Sequence, residues 1–513
     1  MIDCDPRTLT VTSAALLLAC VTPLVAQQLP SAEIERHANA QAPQAVELFR
    51  EYLRIPNDAH FPDDLRPVID WLTVELQQRG FRTEELETGR VPLLLAERTF
   101  PEADRTLLVY LQADGQPVDT ARWHQASPYE PVLRERGADG EWHDIPWDRL
   151  SDDWDPEWRI FARSTADSKG QNVQFLGALS AMDAAGVTPN FNVKVIVDSE
   201  EELGSPNLPA AVERYRDRLA ADMLVIFDGP RHPTNQPTLT FGARGIATIT
   251  LTVYGPRVPQ HSGHYGNWAP NPALRLAQIL ASMKDEFGRV TVPGFYDGIV
   301  LDEATRSVLA RVPDDEAAIR QQLGIAETDS VGTTLQEARQ YPSLNVRGMA
   351  SGWVGEQRRT IVPAFATAEI DVRLVKESDP DHLLGLIRRH IEGLGYYVID
   401  HEPTDAERQS RPRIATFTSN VSYAAYRTEI DSDIGRWLTN AMVHLFGEEP
   451  IKIRTSGGSI PISPFVATLG APAVTVPTVN PDNNQHSPNE NLRLGNFVEG
   501  IQVMLAILQQ PMP

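Results

Sequence analysis

Short apolar runs rich in β-forming residues alternate with helical stretches in this chain, and three of the runs end directly in acidic residues. The runs are Leu93–Ala96, Leu107–Leu111, Val193–Val197 and Leu224–Phe227, and helices are predicted at 31–55, 63–80 and Gln171–Ala185. This alternation predicts an α/β fold, with a mostly parallel mixed sheet flanked by helices. Asp114, the acids between Asp198 and Glu202, and Asp228 follow the last three runs. Functional residues gather at the carboxyl ends of such strands, so we expect these acids to share a site.

A second pattern begins at Ile246. A Thr- and Val-rich strand, a helix, strands near Ala366–Leu374 and a helix at Asp381–Gly393 give the order β-α-β-β-α-β of an α+β open-faced sandwich. We expect this unit, residues 246–425, to be inserted into the first domain as a lid, with residues 30–245 before it and 426–513 after it. Residues 119–161 contain five tryptophans and are predicted to be an ordered surface elaboration.

The composition excludes some partners. The chain has 513 residues, enough for two or three domains, and 42% hydrophobic with 22% charged residues is typical of a globular protein. Its formal net charge is -23. Phosphate binding needs clustered Lys and Arg, so nucleic acid and anionic membranes are not expected partners.

The N-terminus differs from the rest of the chain. Leu9–Ala26 is an apolar run, and a secretory signal peptide cleaved near Ala26 is the favoured interpretation. A lipoprotein signal with Cys20 as the lipidated residue and an uncleaved anchor are the alternatives. A periplasmic or secreted location follows. The only other cysteine is Cys4, so cleavage removes every thiol, and any metal must then sit on His and carboxylates.

Seven segments carry a family resemblance. They are LQADGQPVD, TADSKGQN, EEELGSPNL, IFDGPRH, GPRVPQHSGHYG, RTSGGSIP and NQHSPNE. Their order resembles the dinuclear zinc metallopeptidase superfamily of aminoacylases, carnosinases, glutamate carboxypeptidase and succinyl-diaminopimelate desuccinylase. The resemblance extends from about Gln44 to Leu508. It implies a catalytic domain of the zinc-exopeptidase type, with the inserted unit as a lid and dimerisation domain.

The resemblance implies a role for each acid. Asp167 matches the aspartate that bridges two metal ions. Glu202 and His486 match the other ligands of the first metal, and Asp228 matches the acid of the second. Glu201 matches the general base that activates water, a task suited to a carboxylate beside a cocatalytic pair.

Other matches lie outside the metal ligands. His261 matches a lid histidine that a partner subunit supplies in dimeric members, which implies a homodimer. Arg373 matches the arginine that holds a substrate carboxylate, a task for which a guanidinium fork is suited. Gly457, Gly458 and Ser459 match a loop that brings backbone N–H groups to the same end of the substrate.

The chain departs from the family pattern at the second metal. Gln112 stands where the family has a histidine ligand, and Asp114, which orients that histidine, is retained. We expect Gln112 to donate its amide to Asp114 and to turn its carbonyl oxygen to the metal. The hypothesis is one tight zinc site and one weaker site that favours Mn²⁺ or Mg²⁺. Ser168 replaces an acid and 162–164 a glycine-containing stretch; neither is expected to touch a ligand.

The sequence therefore predicts a metal-dependent hydrolase that cleaves an amide bond next to a free carboxylate, as a dipeptidase or carboxypeptidase does. Two alternatives remain open. One is an N-acyl amino acid amidohydrolase, and the other is a degenerate member that binds peptides without cleaving them, for which Gln112 is the argument.

Overall fold

The computed structural model describes Met1 and residues 28–513, except 102, 153 and 459. Its main sheet has eight strands, in the spatial order Arg82–Leu86, Leu93–Arg98, Phe191–Asp198, Arg105–Gln112, Met223–Ile226, Ala473–Thr475, Thr238–Thr240 and Ile451–Ile453. The three central pairings are parallel, and the pairings at the Arg82–Leu86 edge are antiparallel. The predicted mixed and mostly parallel sheet is confirmed.

The central strand, Arg105–Gln112, is buried on both faces. Leu107, Val109 and Leu111 belong to one hydrophobic core, whereas Leu108 and Tyr110 belong to another on the opposite face. Alternate side chains point to opposite faces of a strand, so a continuous apolar run fits a sheet that is covered on both sides. The neighbouring strands run in the same direction, so the acids that follow them emerge at one edge of the sheet.

Helices cover this sheet. The longer ones are Ser31–Leu53, Pro62–Gln78, Lys169–Ala185, Asp433–Phe446 and Leu494–Gln509. Lys169–Ala185 packs against both Ser31–Leu53 and Leu494–Gln509 and is buried over most of its circumference. It ends at Gly186, whose φ of 67° is the left-handed conformation that glycine supplies at helix ends. Shorter helices of the same part are Leu208–Arg214, Arg216–Leu219 and Ser463–Leu469.

A second, five-stranded sheet lies between residues 245 and 423. Its spatial order is Ser343–Ala350, Phe365–Leu374, Gly245–Tyr254, Ile414–Tyr423 and Tyr397–Ile399. Helices Pro272–Met283 and Pro380–Gly393 pack against it with a separate hydrophobic core. Smaller elements of this unit are Gln260–His261, Ser262–Tyr265, Glu303–Leu309, Glu316–Leu323, Leu335–Ala338, Ile361–Val362 and Asp405–Ser410. The β-α-β-β-α-β order is confirmed, and Tyr397–Ile399 adds a parallel edge strand.

The tryptophan-rich segment 119–161 contains regular secondary structure where it is described. Its strands Val132–Arg136, Trp142–Asp144 and Arg159–Phe161 form a four-stranded sheet with Asn491–Arg493. This sheet therefore joins the strand that precedes Asp167 to the strand that follows His486.

Within residues 28–513, as far as they are described, no helix is both long and apolar enough to cross a membrane. The signal segment predicted at residues 1–26 lies outside the described residues, apart from Met1. The boundaries proposed for the three domain segments stay a prediction.

Candidate functional site

Three of the predicted metal ligands meet at the carboxyl edge of the main sheet. Asp167, Glu202 and His486 offer ligand atoms that all lie within 4.8 Å of one another. His486 Nε2 is 2.9 Å from Asp167 Oδ2 and 3.4 Å from Glu202 Oε2. The two carboxylates are buried, while the His486 side chain is 53% exposed. The cluster is therefore held by the protein on one side and open to a ligand on the other.

A hydrogen-bonded loop carries the adjacent glutamates. Asp198 accepts the Tyr110 and Ser205 hydroxyls through Oδ2 and the Glu200 backbone N–H through Oδ1. The Glu202 N–H donates to Asp114 Oδ2 at 2.9 Å. The loop that contains Glu201 and Glu202 is thus tied to two strand ends, which orients both carboxylates.

Glu490 holds the loop that carries Asp167. Its carboxylate accepts the backbone N–H groups of Ser164, Ala166 and Asp167 at 2.8–3.0 Å, and it pairs with Arg163 at 2.7 Å. The Glu490 and Arg163 side chains are 1% and 3% exposed. The sequence reasoning missed Glu490, although it ends the quoted NQHSPNE segment. It also accounts for the changed stretch 162–164, because Arg163 supplies the charge that this buried carboxylate needs.

The second metal position differs from the expectation. Ser168 Oγ lies 2.8 Å from Gln112 Oε1, to which it donates, and 3.1 Å from Asp167 Oδ1. The Gln112 side chain also hydrogen-bonds Asp228. The expected Gln112–Asp114 bond is wrong: Asp114 accepts from the Glu202 backbone, and its Oδ1 has no partner among the described atoms. The expectation that Ser168 touches no ligand is also wrong, because its hydroxyl is within hydrogen-bond distance of both Gln112 and Asp167.

The electrostatics of the site call for a cation. Burial and repulsion from Asp228, Asp167 and Glu202 raise the pKa of Glu201 well above its usual range. The same causes, burial and the Asp167 charge, raise the pKa of Glu202 to about 8 and that of Asp228 to about 7. The hydrogen bond to Asp167 raises the pKa of His486 to about 9. Clustered carboxylates with one imidazole are a donor set that fits a divalent metal ion, which relieves their repulsion.

A cavity of about 340 Å³ opens in front of these residues. Asp167, Glu201, Asp228 and His486 line it together with Gly458. Its size is that of a small-molecule site, and the carboxylate predicted to be the general base faces it alongside three of the predicted metal ligands.

The remaining predicted residues lie farther away. His261 is exposed in the strand Gln260–His261, which forms a separate two-stranded sheet with Ile361–Val362, and its Nδ1 accepts the Gly263 N–H. Arg373 lies on Phe365–Leu374, with Nε 3.8 Å from Asp371 Oδ2. Gly457 lines a neighbouring cavity. Ser459 lies outside the described residues.

Comparison with known proteins identifies the family. The model of Peptidase family M20/M25/M40 matches residues 132–510. The chain belongs to this family. Human Beta-Ala-His dipeptidase is 25% identical over 483 residues, 90% of this chain and 89% of the relative. Cys-Gly metallodipeptidase dug1 of Schizosaccharomyces pombe is 24% identical over 471 residues, 87% of this chain and 91% of the relative. The crystal structure of the M20 family metallo-carboxypeptidase Sso-CP2 from Sulfolobus solfataricus has a TM-score of 0.74 and 26% identity, and the match covers 91% of this chain and 98% of that one.

These comparisons confirm the predicted family and class of reaction. This M20/M25/M40 peptidase is a metal-dependent hydrolase of amide bonds, of the dipeptidase or exopeptidase type. Neither the deacylase nor the non-catalytic alternative is favoured. The predicted periplasmic or secreted location is wrong on the same comparison, because the matching Cys-Gly metallodipeptidases of yeasts are cytosolic enzymes, and these also argue against a signal peptide.

Metal-free protein is expected to lose stability as the pH rises. The folded-state pKa values of Asp228 and Glu202, about 7 and about 8, exceed those of the unfolded chain, so the folded state binds more protons between about pH 4 and pH 8. Urea denaturation of chelator-dialysed protein should give an unfolding free energy about 2–5 kcal/mol lower at pH 8 than at pH 5.5. Asp228→Asn should reduce this slope and zinc should reverse it. A stability that rises with pH in the metal-free wild type would contradict the assignment.

Glu490→Gln tests the carboxylate that holds the Asp167 loop. The variant leaves the Arg163 guanidinium buried without its anion, so we expect it to lower the unfolding free energy by about 3–5 kcal/mol and to weaken zinc binding. Glu157→Gln is the matched control, because Glu157 pairs with Arg493 at the surface and its loss should cost less than about 1 kcal/mol. Equal effects of the two substitutions in urea denaturation would show that Glu490 is not a structural anchor.

Proposed function

We propose that this protein is a dipeptidase in which Glu201 is the general base and acid. The observation that carries the proposal is the position of Glu201 in the cavity that Asp167 and His486 also line, where burial and neighbouring charges raise its pKa. A carboxylate with a raised pKa accepts a proton readily near neutral pH. A divalent metal ion held by Asp167, Glu202 and His486 would polarise the scissile carbonyl when bound.

The proposed reaction needs one water and one proton shuttle. Glu201 takes a proton from the water whose oxygen adds to the amide carbon. It then gives that proton to the nitrogen as the C–N bond breaks, which releases an amine and a carboxylic acid. Its raised pKa allows the same side chain to act in both steps.

Arg373 and the Gly457–Gly458 loop are proposed to hold the free carboxylate of the substrate. The guanidinium offers paired N–H donors, and the glycines leave the backbone N–H groups accessible. The names of the relatives support a dipeptide as the substrate, since two of them are dipeptidases. A carboxylate anchored at one end places the adjacent amide bond in the cavity beside Glu201.

We propose unequal metal sites. The tight site is Asp167, Glu202 and His486, with zinc as its ion, because it combines two carboxylates with an imidazole. The second comprises oxygens of Gln112, Asp167 and Asp228, and neutral carboxamide oxygen makes it weaker and better suited to Mn²⁺ or Mg²⁺. Support comes from the Ser168 hydroxyl, which holds the Gln112 amide beside Asp228.

A homodimer with a shared site is proposed as well. Trp268 and Val354 in the lid segment 246–425 are 86% and 87% exposed, and Val258 and Phe365 line one groove of the same segment. Large exposed apolar side chains that lie close together mark an interaction surface. His261 is in this region, so association through it would carry the histidine towards the cavity of the partner, formed by residues 30–245 and 426–513.

Replacing Glu201 with Gln should lower kcat for dipeptide hydrolysis by about 10²–10⁴-fold, because the amide cannot take the proton from water. Zinc content and the affinity for a non-hydrolysed dipeptide analogue should remain those of the wild type. Glu213→Gln, an exposed glutamate close in sequence, is the control. Unchanged turnover in Glu201→Gln would eliminate this residue as the base.

Metal analysis after dialysis should find one zinc per wild-type chain and two in Gln112→His, because imidazole nitrogen is the stronger zinc ligand. Gln77→His, at an exposed helix position, should still retain one. Two zinc ions held by the wild type through the same dialysis would refute the unequal sites.

Mixing two inactive variants tests the shared site. Glu201→Gln and His261→Ala are each expected to be inactive, yet their mixture should recover about a quarter of the wild-type activity after subunit exchange. Half of randomly paired dimers are mixed, and each has one site with both residues intact. Light scattering should show dimers throughout. A mixture that stays inactive while dimers exchange would mean that His261 serves its own chain or none.

A further inference from the structure

The loop that carries His486, residues 482–491, contains three non-glycine residues with a left-handed backbone. His486 has a φ of 58°, and Asn484 and Asn489 have φ values of 58° and 62°. A residue with a Cβ adopts this conformation at a cost in free energy, and it persists where the surrounding structure holds it. The contacts made by this His486 loop therefore decide whether the imidazole reaches the metal cavity.

Arg159 joins the two ends of the His486 loop. Its Nη2 donates to Asp482 Oδ2 at 2.7 Å, and its Nη1 donates to Asn491 Oδ1 at 2.9 Å and to the Asp482 carbonyl at 3.3 Å. Asp482 and Asn491 are the first and last residues of the loop. The Arg159 side chain is only 12% exposed, which shields these bonds from water. One guanidinium fork thus closes the base of the loop.

The tryptophan-rich segment fixes this guanidinium in turn. Arg159 begins the strand Arg159–Phe161, which pairs with Asn491–Arg493. Its guanidinium carbon lies 4.9 Å from the centre of the Trp142 ring, and that ring packs edge-on against the Phe161 ring at 5.3 Å. An aromatic face attracts a guanidinium electrostatically. The segment therefore holds Arg159 where it reaches both ends of the loop.

A second contact ties the same segment to the loop. Asn489 Oδ1 accepts the His124 backbone N–H at 2.9 Å, and Asn489 Nδ2 donates to the Arg122 carbonyl at 3.4 Å. Asn489 is three residues after His486, whereas the Asp482 contact is four residues before it. The tryptophan-rich segment thus binds the loop on both sides of the imidazole.

We propose that Arg159 is a positioning residue for metal binding, and that the tryptophan-rich segment serves to hold the His486 loop in its metal-binding conformation. The inference rests on the proposed zinc site of Asp167, Glu202 and His486. Arg159 acts on the ends of the loop and not on the reacting atoms. Its loss therefore weakens zinc binding through the imidazole, while the two carboxylates of the site stay in place.

Zinc affinity, measured by competition with a chromophoric chelator, tests this role. Arg159→Gln should bind zinc about 10–100-fold more weakly than the wild type, as is typical when a residue that orients a metal ligand is replaced. Arg159→Lys should be intermediate, because it keeps a charge for Asp482 but lacks the fork. Arg136→Gln is the matched control and should keep the wild-type affinity. Arg136 faces the same Trp142 ring at 6.0 Å, but it donates to the Gly140 carbonyl in the adjacent turn.

A double variant shows whether Arg159 acts through the loop. Asp482→Asn replaces a side chain that is 63% exposed, so the fold should tolerate it. Arg159→Gln combined with Asp482→Asn should bind zinc no more weakly than Arg159→Gln alone, because both substitutions break the same contact. Additive losses would overturn the proposal. A lower unfolding free energy in Arg159→Gln with the zinc affinity of the wild type would also overturn it, since Arg159 would then only stabilise the loop.

His486→Ala separates this inference from the proposed function. If His486→Ala loses zinc affinity and Arg159→Gln does not, the positioning role is refuted while the proposed zinc site stands. If His486→Ala binds zinc as tightly as the wild type, the proposed site is wrong and the role of Arg159 fails with it. If both variants lose affinity but the zinc-saturated wild type cleaves no dipeptide, the positioning role stands and the dipeptidase proposal fails.

Discussion

Repulsion among buried carboxylates that share one cavity is the constraint on which the rest of this structure depends. The parallel strands deliver Glu201, Glu202 and Asp228 to one edge of the sheet, and the loop that Glu490 holds brings Asp167 to the same place. Keeping them there costs free energy unless a cation is present, because each ionised group raises the pKa of the others. The surrounding hydrogen bonds, above all those of Glu490 and Asp198, hold the loops in place against this repulsion.

The same constraint explains how the departure at Gln112 is accommodated. The neutral carboxamide of Gln112 is a weaker metal ligand than the imidazole that it replaces. Its orientation also needs a hydrogen-bond partner. Ser168 is that partner, with its hydroxyl at hydrogen-bond distance from both Gln112 and Asp167. Two of the positions that differ from the family pattern, Gln112 and Ser168, therefore contact each other, which neither position alone reveals.

Much of the fold was predictable from the sequence because its signals are local. The helix expected at Gln171–Ala185 is Lys169–Ala185, and the strand expected at Leu107–Leu111 is Arg105–Gln112. The grouping of Asp167, Glu202 and His486 was predictable only through the family resemblance, since Asp167 and His486 are distant in sequence. Glu490 was not predictable, because nothing in a single glutamate after Asn489 shows that it accepts three backbone N–H groups. Side-chain contacts such as the one between Ser168 and Gln112 depend on distances in space, which the spacing of residues along the sequence does not give.

The acidic cluster lies on one side of the Ser456–Gly458 loop, in the cavity that Asp167, Glu201 and Asp228 line. Anomalous diffraction from zinc-loaded crystals tests the central claim most directly. The predicted result is a strong zinc peak at coordination distance from Asp167, Glu202 and His486 together. A zinc peak elsewhere, with these three side chains unliganded, would contradict it.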